Sequence, residues 1–438
     1  MSDTLDRPSE HRWSRRGLLL AGGVGVGGVG LAGLAAPVLA QAPAPREPLD
    51  VGGVSGGKVQ FQPIAAGTEP AQKPKPAPLP PAERVGFAIA GIGRLALEEV
   101  IPAFGETRMA KIAALVSGSP EKAGQVGQSL GLAPSSLYDY ASFDRIADDP
   151  AVQVVYVITP NALHKDLVLR AARAGKHVLC EKPMAVSSAE AREMTEACAK
   201  AGVKLMVAYR SQFQKHHRAL QDMMRSGALG AIRGIEAVNV QNQGDPRQWR
   251  LRKALAGGGS LPDIGLYCLN EARFLLGEEP VAVSARIHSP PGDPRFAEVE
   301  DSVAFTLQFP SGVIANCFTS YSAFKGQHLL VNGAEGWMRM DKAFAYRGQQ
   351  LHHGVLQDGQ EVQRTLTVAA GNQFADEIDH MAQCVRENRK PRTPGEEGVQ
   401  DHVLMEAIYE AAASGRTVTL PASQGLDVTR GPALPKEG

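Results

Sequence analysis

The stretch VGFAIAGIGRLA at residues 85–96 decides how this chain folds. Its uninterrupted small and apolar residues predict a buried strand, and the pattern G-x-G-x-x-A begins as that strand ends. Gly91 allows a tight turn, Gly93 lets a ligand approach the backbone, and the small Ala96 lets a helix pack close to the strand. Strand, turn and helix in this order are typical of a dinucleotide-binding βαβ unit, and an incidental glycine-rich turn is the alternative.

Short apolar runs alternate with helical periods from residue 84 to residue 208, which predicts a parallel sheet with helices on its faces. The predicted strands are 85–90, 111–116, 152–158, 177–180 and 204–208, and the predicted helices are 95–104, 120–130, 163–174 and 187–201. Ser187 and Glu190 form a capping box at the start of the last helix. Residues 84–208 are therefore predicted to be a Rossmann domain.

A different pattern follows over residues 209–420, where strand-like runs outnumber helices. The runs are 232–240, 281–288, 302–309, 313–321 and 328–331, and the helices are 216–224, 262–276, 373–388 and 400–414. We therefore predict an α/β protein in which an α+β domain with a large, mostly antiparallel open sheet follows the Rossmann domain. Residues 421–438 are predicted to be a tail.

The first 83 residues are predicted to lie outside this fold. Arg15-Arg16 precede a glycine-rich apolar stretch ending at Ala40, which indicates a twin-arginine export signal cleaved there. A membrane anchor is the alternative, but the six glycines between residues 22 and 30 make the stretch weakly apolar. Residues 41–83 carry ten prolines and predict an extended arm, either a spacer or a segment that docks on a neighbouring subunit.

Composition excludes several classes of function. Lys+Arg and Asp+Glu number 46 each, which gives no support to nucleic-acid binding or to an electrostatic membrane anchor. The five cysteines are far apart and never spaced as C-x-x-C, so we expect buried free thiols and neither a zinc site nor a disulfide scaffold. The histidine pairs at 216–217 and 352–353 have no third ligand at a usable spacing, and no metal site is predicted.

The second strand ends in Ser117-Gly118-Ser119, with Lys122 close behind and no carboxylate at the strand end. Hydroxyl groups and a cation suit a 2′-phosphate, which favours NADP over NAD; a solvated turn with an ordinary surface lysine is the alternative. After the third strand, Asn161 and His164 are placed to touch the nicotinamide half of a cofactor or simply to cap the next helix.

Glu181-Lys182-Pro183 follows the fourth strand at the ligand-binding edge of the sheet. Further along, Asp263 and Tyr267 are four residues apart and share one helix face, just after the glycine-rich loop 257–260, which could bring that helix close to a ligand. A cation such as Lys182 favours the phenolate of Tyr267, which would then exchange a proton with a sugar hydroxyl or carbonyl while Asp263 orients the sugar. A merely packed tyrosine and a Lys182–Glu181 ion pair are the alternative.

Tyr209, Arg210, Trp249 and Arg250 offer the aromatic faces and planar donors that suit sugars, although packing explains Trp249 nearly as well. The expected substrate contacts are Lys182, Tyr209, Asp263 and Tyr267. The expected cofactor contacts are Gly91, Ile92, Gly93, Arg94, Leu95, Ser117, Gly118, Ser119, Lys122, Tyr140, Thr159, Pro160, Asn161, His164, Glu181, Lys182, Arg210, Trp249 and Arg250.

The order of four motifs resembles the Gfo/Idh/MocA family of sugar oxidoreductases: Gly91-x-Gly93, Pro160-Asn161-x-x-His164, Glu181-Lys182-Pro183 and Asp263-Ile264-Gly265-Leu266-Tyr267. The twin-arginine signal, the proline-rich arm and residues 116–118, 249–252, 256–260 and 277–280 are similar to the glucose-fructose branch of that family. Many members have His at the position of Tyr267, whereas this branch has Tyr. The resemblance covers residues 84–417.

The resemblance implies an NADP held too tightly to exchange and an open sheet that serves substrate binding and subunit contacts. It also implies homo-oligomers, dimers or tetramers, in which the arm over residues 41–83 reaches a neighbour's cofactor. The implied reaction couples oxidation of an aldose, glucose to gluconolactone, to reduction of a second sugar, fructose to sorbitol, by a ping-pong mechanism.

Export and cofactor use must be reconciled. Twin-arginine export delivers folded proteins to the periplasm, where no cofactor pool is expected, so a retained cofactor recycled by a second sugar is the consistent solution. An aldose-aldose oxidoreductase, a simple NADP-dependent aldose dehydrogenase and a non-catalytic sugar-binding or sensor protein are the alternatives. The presence of Lys182, Asp263 and Tyr267 together argues against the last of these.

Overall fold

The computed structural model describes residues 53–55, 58–60, 77–369 and 371–421. Residues 1–74 and 75–438 form two separate units. In the first unit, β1 (Gly53–Ser55) and β2 (Lys58–Gln60) pair as an antiparallel hairpin. We predicted an extended arm here, and the β-branched valines at 54 and 59 explain the difference because they favour strands within a proline-rich segment.

The predicted export signal at residues 1–40, most of the arm and nearly all of the tail lie outside the described residues. Within the part of the chain that is described, no helix is long and apolar enough to cross a membrane.

A parallel sheet forms the first half of the second unit and confirms the predicted Rossmann architecture. Its strands are β3 (Val85–Ala90), β4 (Ala110–Val116), β5 (Leu137–Tyr138), β6 (Val154–Val157), β7 (His177–Glu181) and β8 (Leu205–Ala208). They lie in the order β5-β4-β3-β6-β7-β8, so the chain reverses direction across the sheet between β3 and β6. Ligands bind outside the carboxyl ends of the strands at such a switch point.

The helices of this half are α1 (Ile101–Phe104), α2 (Pro120–Ser129), α3 (His164–Arg173) and α4 (Ser188–Lys200). The helix predicted over 95–104 is divided, because a wide π-helical turn (Ala96–Val100) precedes α1 and Pro102 has no N–H to donate there. The Ser187 hydroxyl accepts a hydrogen bond from the Glu190 amide at 3.3 Å, which confirms the predicted cap of α4.

The second half contains the large, mostly antiparallel sheet that the sequence predicted. Its elements are α5 (Lys215–Arg225), β9 (Ile232–Val240), α6 (Lys253–Ala256), α7 (Leu266–Leu276), β10 (Ala282–His288), β11 (Ser302–Gln308), β12 (Ile314–Ser320), β13 (Gly326–Gly333), β14 (Gly336–Asp341), β15 (Gln350–Gln357), β16 (Gln360–Leu366), α8 (Gln373–Arg386), α9 (Gly395–Ser414) and β17 (Val418–Thr419). The sheet order is β16-β15-β14-β13-β9-β12-β11-β10-β17, and only the β9–β12 pair among these described strands is parallel. The strands from β14 onward were not predicted; β16 is polar on both faces and β17 is only two residues long.

The helix α8 returns to the first sheet although it comes late in the chain. Phe374 and Ile378 of this helix are buried in the same apolar cluster as Phe87 and Ile89 of β3. The last helix, α9, packs on both α4 and β10 and thus links the two sheets. The late helices therefore also contact the first half of the unit, and α8 brings late residues close to the first sheet. All five cysteines are buried and free, as predicted.

Candidate active site

The turn after β3 has the shape that the glycine pattern predicted. Gly91 has a φ of +103°, and a Cβ there would lie 2.5 Å from the carbonyl oxygen of Ile158, so only glycine fits. Gly93 is different, because a Cβ there would meet no protein atom within 4 Å. Packing within the protein therefore does not require this second glycine. A ligand that approaches the backbone closely would require it. Ile92 is buried, while Arg94 points outward and pairs with Glu98 at 2.8 Å.

The turn after β4 joins this glycine turn. The ammonium of Lys122 donates to the carbonyl oxygen of Ile92 at 3.0 Å, so the cation lies beside the first turn. Ser119 caps α2 and Ser117 accepts from the amide of Ser119 at 3.1 Å. The ring of Tyr140 packs against Gly118, where a Cβ would come within 3.2 Å of it.

The turn after β6 connects several segments beneath the site. Asn161 does not cap a helix; its amide donates to the carbonyl oxygen of Ala256 at 2.8 Å and ties this turn to the second half of the unit. His164 is fully buried, with Nε2 2.8 Å from the Thr159 carbonyl oxygen and Nδ1 3.1 Å from that of Pro183. Burial lowers the pKa of His164 and favours the neutral ring. His164 therefore connects the loop at Thr159 to the loop at Pro183 from the interior, rather than lining their outer surface.

Glu181 and Lys182 point in different directions. The Glu181 carboxylate accepts a hydrogen bond from the hydroxyl of Tyr156 at 2.9 Å, and that hydroxyl lies 3.4 Å from Glu377 of α8. Burial raises the pKa of both carboxyl groups, most strongly that of Glu377. Lys182 forms its ion pair with Asp263, so the alternative of a Lys182–Glu181 ion pair is wrong.

Asp263 holds Lys182 in place. The Lys182 ammonium donates to the Asp263 carbonyl oxygen at 2.7 Å and to its carboxylate at 3.1 Å. The same carboxylate accepts from Arg250 at 3.1 Å and from Tyr321 at 2.7 Å. These contacts anchor Lys182, and the expected contact of Asp263 with the sugar stays a prediction.

The charged groups in this cluster keep one another ionised. Burial alone would lower the pKa of Lys182, but the neighbouring Tyr267, Asp263 and Glu181 outweigh it and raise this pKa above its usual value. Burial would raise the pKa of Asp263, yet Lys182 and Arg250 hold it well below its usual range. At neutral pH, Lys182 is therefore a protonated donor and Asp263 an ionised acceptor.

Tyr267 lies between two cations. The Lys182 ammonium is 4.6 Å from the centre of its ring, and the Arg210 guanidinium is also 4.6 Å from that centre. Arg210 Nε donates to the Tyr267 hydroxyl at 3.0 Å. Arg210 is buried against Tyr267, and its predicted contact with a cofactor stays a prediction. Asp263 lies in the π-helical turn Leu261–Gly265 and Tyr267 in α7, and both converge on Lys182 as the spacing predicted.

The glycine-rich loop before α7 has a different explanation from the one we gave. A Cβ at Gly258 would lie 2.1 Å from the Tyr409 hydroxyl, and one at Gly259 would lie 2.0 Å from the Glu300 carbonyl oxygen. The Glu300 carboxylate accepts from the amide of Gly259 at 2.8 Å. These glycines therefore allow close packing on the protein itself.

The remaining predicted contacts lie around this centre. Tyr209 is buried and borders a small internal cavity next to Lys182 and Tyr267. Arg250 stacks on the half-buried ring of Trp249, with 4.5 Å between the guanidinium carbon and the ring centre. Five contributors were not predicted: Tyr156, Tyr321, Phe344, Gln373 and Glu377. No local motif surrounds them, and only long-range packing brings them to the site.

The residues present fit a nicotinamide dinucleotide. The open space at Gly93 suits a pyrophosphate, and the buried Thr159 hydroxyl, on a residue that lies next to Gly91, has no hydrogen-bond partner among the described residues. Lys122, Ser117 and Tyr140 surround the place where the adenosine half would lie, and Lys182 lies at the nicotinamide end. Within the same residues, no group of His, Cys, Asp or Glu is arranged to hold a metal ion.

The site combines a dinucleotide-binding turn with a protonated lysine and a tyrosine that lies beside two cations. This arrangement is typical of an NAD(P)-dependent oxidoreductase. Residues 85–209 match the model of the oxidoreductase family with an NAD-binding Rossmann fold, and residues 217–339 match the GFO/IDH/MocA C-terminal domain. The chain belongs to the Gfo/Idh/MocA oxidoreductase family, which confirms the predicted family and its NAD(P)-binding domain.

Relatives in this family act on sugars and related compounds. The chain is 34% identical to a D-xylose 1-dehydrogenase [NADP(+)] from Haloarcula marismortui, over 77% of this chain and 93% of that protein. It is 31% identical to a 1,5-anhydro-D-fructose reductase from Ensifer adhaerens, over 76% of this chain and 98% of that protein. A solved structure of aldose-aldose oxidoreductase from Caulobacter crescentus is 47% identical with a TM-score of 0.74, covering 77% of this chain and 100% of that one.

Proposed function

We propose that this protein is a sugar oxidoreductase that oxidises an aldose at C1 to a lactone and reduces a second sugar to a polyol on one retained NADP. The observation that supports it best is the Tyr267 hydroxyl, which receives a hydrogen bond from Arg210 while Lys182 lies over the ring. The two cations beside this phenol would stabilise negative charge on its oxygen while a proton is exchanged with the sugar.

In the oxidative half-reaction, Tyr267 takes the proton of the C1 hydroxyl group while Lys182 donates a hydrogen bond to the same oxygen. In the reductive half-reaction, Tyr267 returns a proton to the carbonyl oxygen of the second sugar. Lys182 serves both directions without changing its charge, because Asp263 anchors it and its pKa lies above the usual value. The nicotinamide, when bound, supplies the redox chemistry.

The preference for NADP is supported by the second turn. Ser117, Ser119 and Lys122 present hydroxyls and a cation there, and the sequence has no carboxylate at the end of β4. The relative from Haloarcula marismortui is itself a D-xylose 1-dehydrogenase [NADP(+)].

The choice of sugar pair lies between two proposals. The glucose-fructose pair follows from the branch motifs, whereas the 47% identity to an aldose-aldose oxidoreductase favours an aldose as the second substrate. We favour the aldose-aldose pair because that likeness covers the whole of the solved chain. A simple aldose dehydrogenase, the reaction of the Haloarcula marismortui relative, remains the competing activity.

The proposed location is the periplasm, reached in folded form through the twin-arginine signal at residues 1–40. Retention of NADP follows from this location, because a released cofactor would not be replaced there. We further propose homo-oligomers in which the arm over residues 41–83 reaches a neighbouring subunit.

One experiment separates these activities. The protein is purified without added nucleotide, its absorption spectrum is examined for bound nicotinamide, and it is offered glucose alone, glucose with fructose, and glucose with xylose. Coupled chemistry gives reduction of the bound cofactor by one sugar and turnover only with a pair. Protein that carries no nicotinamide and turns over one sugar only with free NADP would be a dehydrogenase, and protein whose cofactor no sugar reduces would be a binding protein.

A further inference from the structure

The buried guanidinium of Arg210 contacts only neutral acceptors. Nε donates to the Tyr267 hydroxyl at 3.0 Å, Nη2 to the Phe344 carbonyl oxygen at 2.7 Å, and Nη1 to the side-chain oxygen of Gln373 at 2.7 Å. Arg210 is 4% exposed and forms no ion pair with a carboxylate in the described part of the chain. The rings of Tyr267 and Tyr346 each lie 4.6 Å from this guanidinium, and Glu181 acts on its charge from farther away.

Gln373 is the residue that keeps this contact neutral. It is the first residue of α8, it is 3% exposed, and its amide nitrogen donates to the carbonyl oxygen of Tyr346 at 2.7 Å. Its two ends are thus fixed, with the oxygen toward Arg210. A glutamate has almost the same shape and would form a strong ion pair with the guanidinium here.

We propose that Gln373 is a positioning residue whose neutral oxygen holds Arg210 without compensating its charge, so that this charge stabilises the phenolate of Tyr267. The inference rests on the proposed function, in which Tyr267 is the base that takes the sugar proton. Gln373 acts through Arg210 and touches neither sugar nor cofactor in this role.

The other charged groups around Tyr267 have partners of their own. Lys182 and Arg250 share the carboxylate of Asp263. Glu181 accepts hydrogen bonds from Tyr156 and from the amide of Lys182.

Two further titratable groups face Arg210 or its neighbours. Burial raises the pKa of Glu377 well above its usual value, and this carboxyl group accepts from the Tyr156 hydroxyl at 3.4 Å. Burial raises the pKa of Tyr346 to about 12, so Tyr346 is neutral near pH 7. Glu181 acts electrostatically on Arg210 from beyond ion-pair distance, whereas the Tyr267 hydroxyl accepts a hydrogen bond from the guanidinium directly.

The test is Gln373→Glu in the full-length, NADP-loaded protein. The readout is the pH dependence of the first half-reaction, measured as reduction of the bound nicotinamide in a single turnover after mixing with glucose. A new negative charge beside Arg210 should raise the midpoint of this profile by about one pH unit, with a roughly tenfold slower reaction below it. Gln383→Glu, the same change on the far side of α8 where Gln383 contacts Glu387, should leave the midpoint unchanged.

Gln373→Met separates charge from geometry. It removes the acceptor but adds no charge, so the reaction should slow while the midpoint stays in place. A midpoint that moves as far in Gln373→Met as in Gln373→Glu, or one that stays in place in Gln373→Glu, would overturn the inference.

Folding is checked by circular dichroism. If Gln373→Glu does not fold, Arg210→Gln carries the test, because removal of the cation should also raise the midpoint; an unchanged midpoint there would overturn the inference. Wild-type protein whose bound nicotinamide no sugar reduces would overturn the proposed function and this inference with it. If sugar reduces the bound nicotinamide of the wild type but the variants leave the midpoint of the pH profile unchanged, only the inference is overturned.

Discussion

Replacement of Asp263 by asparagine should destabilise the fold by about 3 kcal/mol at pH 7, with a smaller difference at low pH. The carboxylate lies 3.1 Å from the Lys182 ammonium and 3.1 Å from Arg250 Nε, and it accepts a hydrogen bond from Tyr321 at 2.7 Å. Asparagine keeps an acceptor for Tyr321 but removes the charge that both cations face.

The magnitude follows from the exposure of the two pairs. The Lys182 side chain is 11% exposed, and removal of one partner from a buried pair costs about 3–5 kcal/mol. Arg250 is 35% exposed, so its pair adds at most about 1 kcal/mol. Asparagine keeps the hydrogen bond to Tyr321, and solvent reaches the partly exposed Arg250. The total loss of stability should therefore be at the lower end of the range for a buried pair, about 3 kcal/mol.

The pH dependence has a definite sign. The pKa of Asp263 is depressed in the folded protein, so its stabilisation is present above the unfolded pKa and is lost as pH falls toward the folded one. With an unfolded pKa of about 3.9, roughly 0.7 kcal/mol of the stabilisation is gone at pH 3.5. The difference between wild type and variant should therefore narrow by about that amount.

The assay is urea unfolding followed by circular dichroism at pH 7 and pH 3.5. Asp144→Asn is the matched control, because Asp144 pairs with Arg170 while 70% exposed and should contribute little. A loss below about 1 kcal/mol at pH 7, or a difference that widens toward pH 3.5, would refute the assignment of Asp263 as the buried anchor of Lys182.

Lys182→Met should retain bound nicotinamide but lose at least about a hundredfold in its reduction by sugar, because no ammonium is left to polarise the substrate oxygen; absorbance spectra and single-turnover rates measure both. Gly91→Ala should destabilise the fold, since its methyl group would lie 2.5 Å from the Ile158 carbonyl oxygen at a φ of +103°. Gly93→Ala should lose nucleotide but keep the melting temperature of the nucleotide-free protein, and an equal drop for both glycine variants in nucleotide-free protein would contradict this. Lys122→Ala should weaken binding of NADP about tenfold more than that of NAD in a titration of nucleotide-free protein, and equal losses would point away from a 2′-phosphate contact.

The Rossmann half of this protein was predictable because its signals are local. Buried parallel strands appear as continuous apolar runs, and the turn at Gly91 depends on backbone geometry that only glycine tolerates. The motif around Lys182 was likewise readable, since the end of a parallel strand must lie at the ligand-binding edge.

The outer strands of the second sheet were much less predictable. The strand β16 is polar on both faces, and β17 is only two residues long, so neither gives a periodic signal. Their pairing depends on neighbours that lie far away in the sequence. The glycines at 258 and 259 were misread for the same reason, because Tyr409 and Glu300, which require them, are distant in the chain.

The sequence by itself determined the chemistry that is available: a dinucleotide turn, a lysine at the edge of a parallel sheet, and an acid and a tyrosine four residues apart on one helix. Only the tertiary structure decided how these groups are used. It directs Asp263 to Lys182, and it places Arg210 under Tyr267 with the neutral Gln373 behind it. The physical reason is that ion pairs and buried hydrogen bonds depend on distances of a few ångströms between segments up to 163 residues apart, which no local pattern encodes.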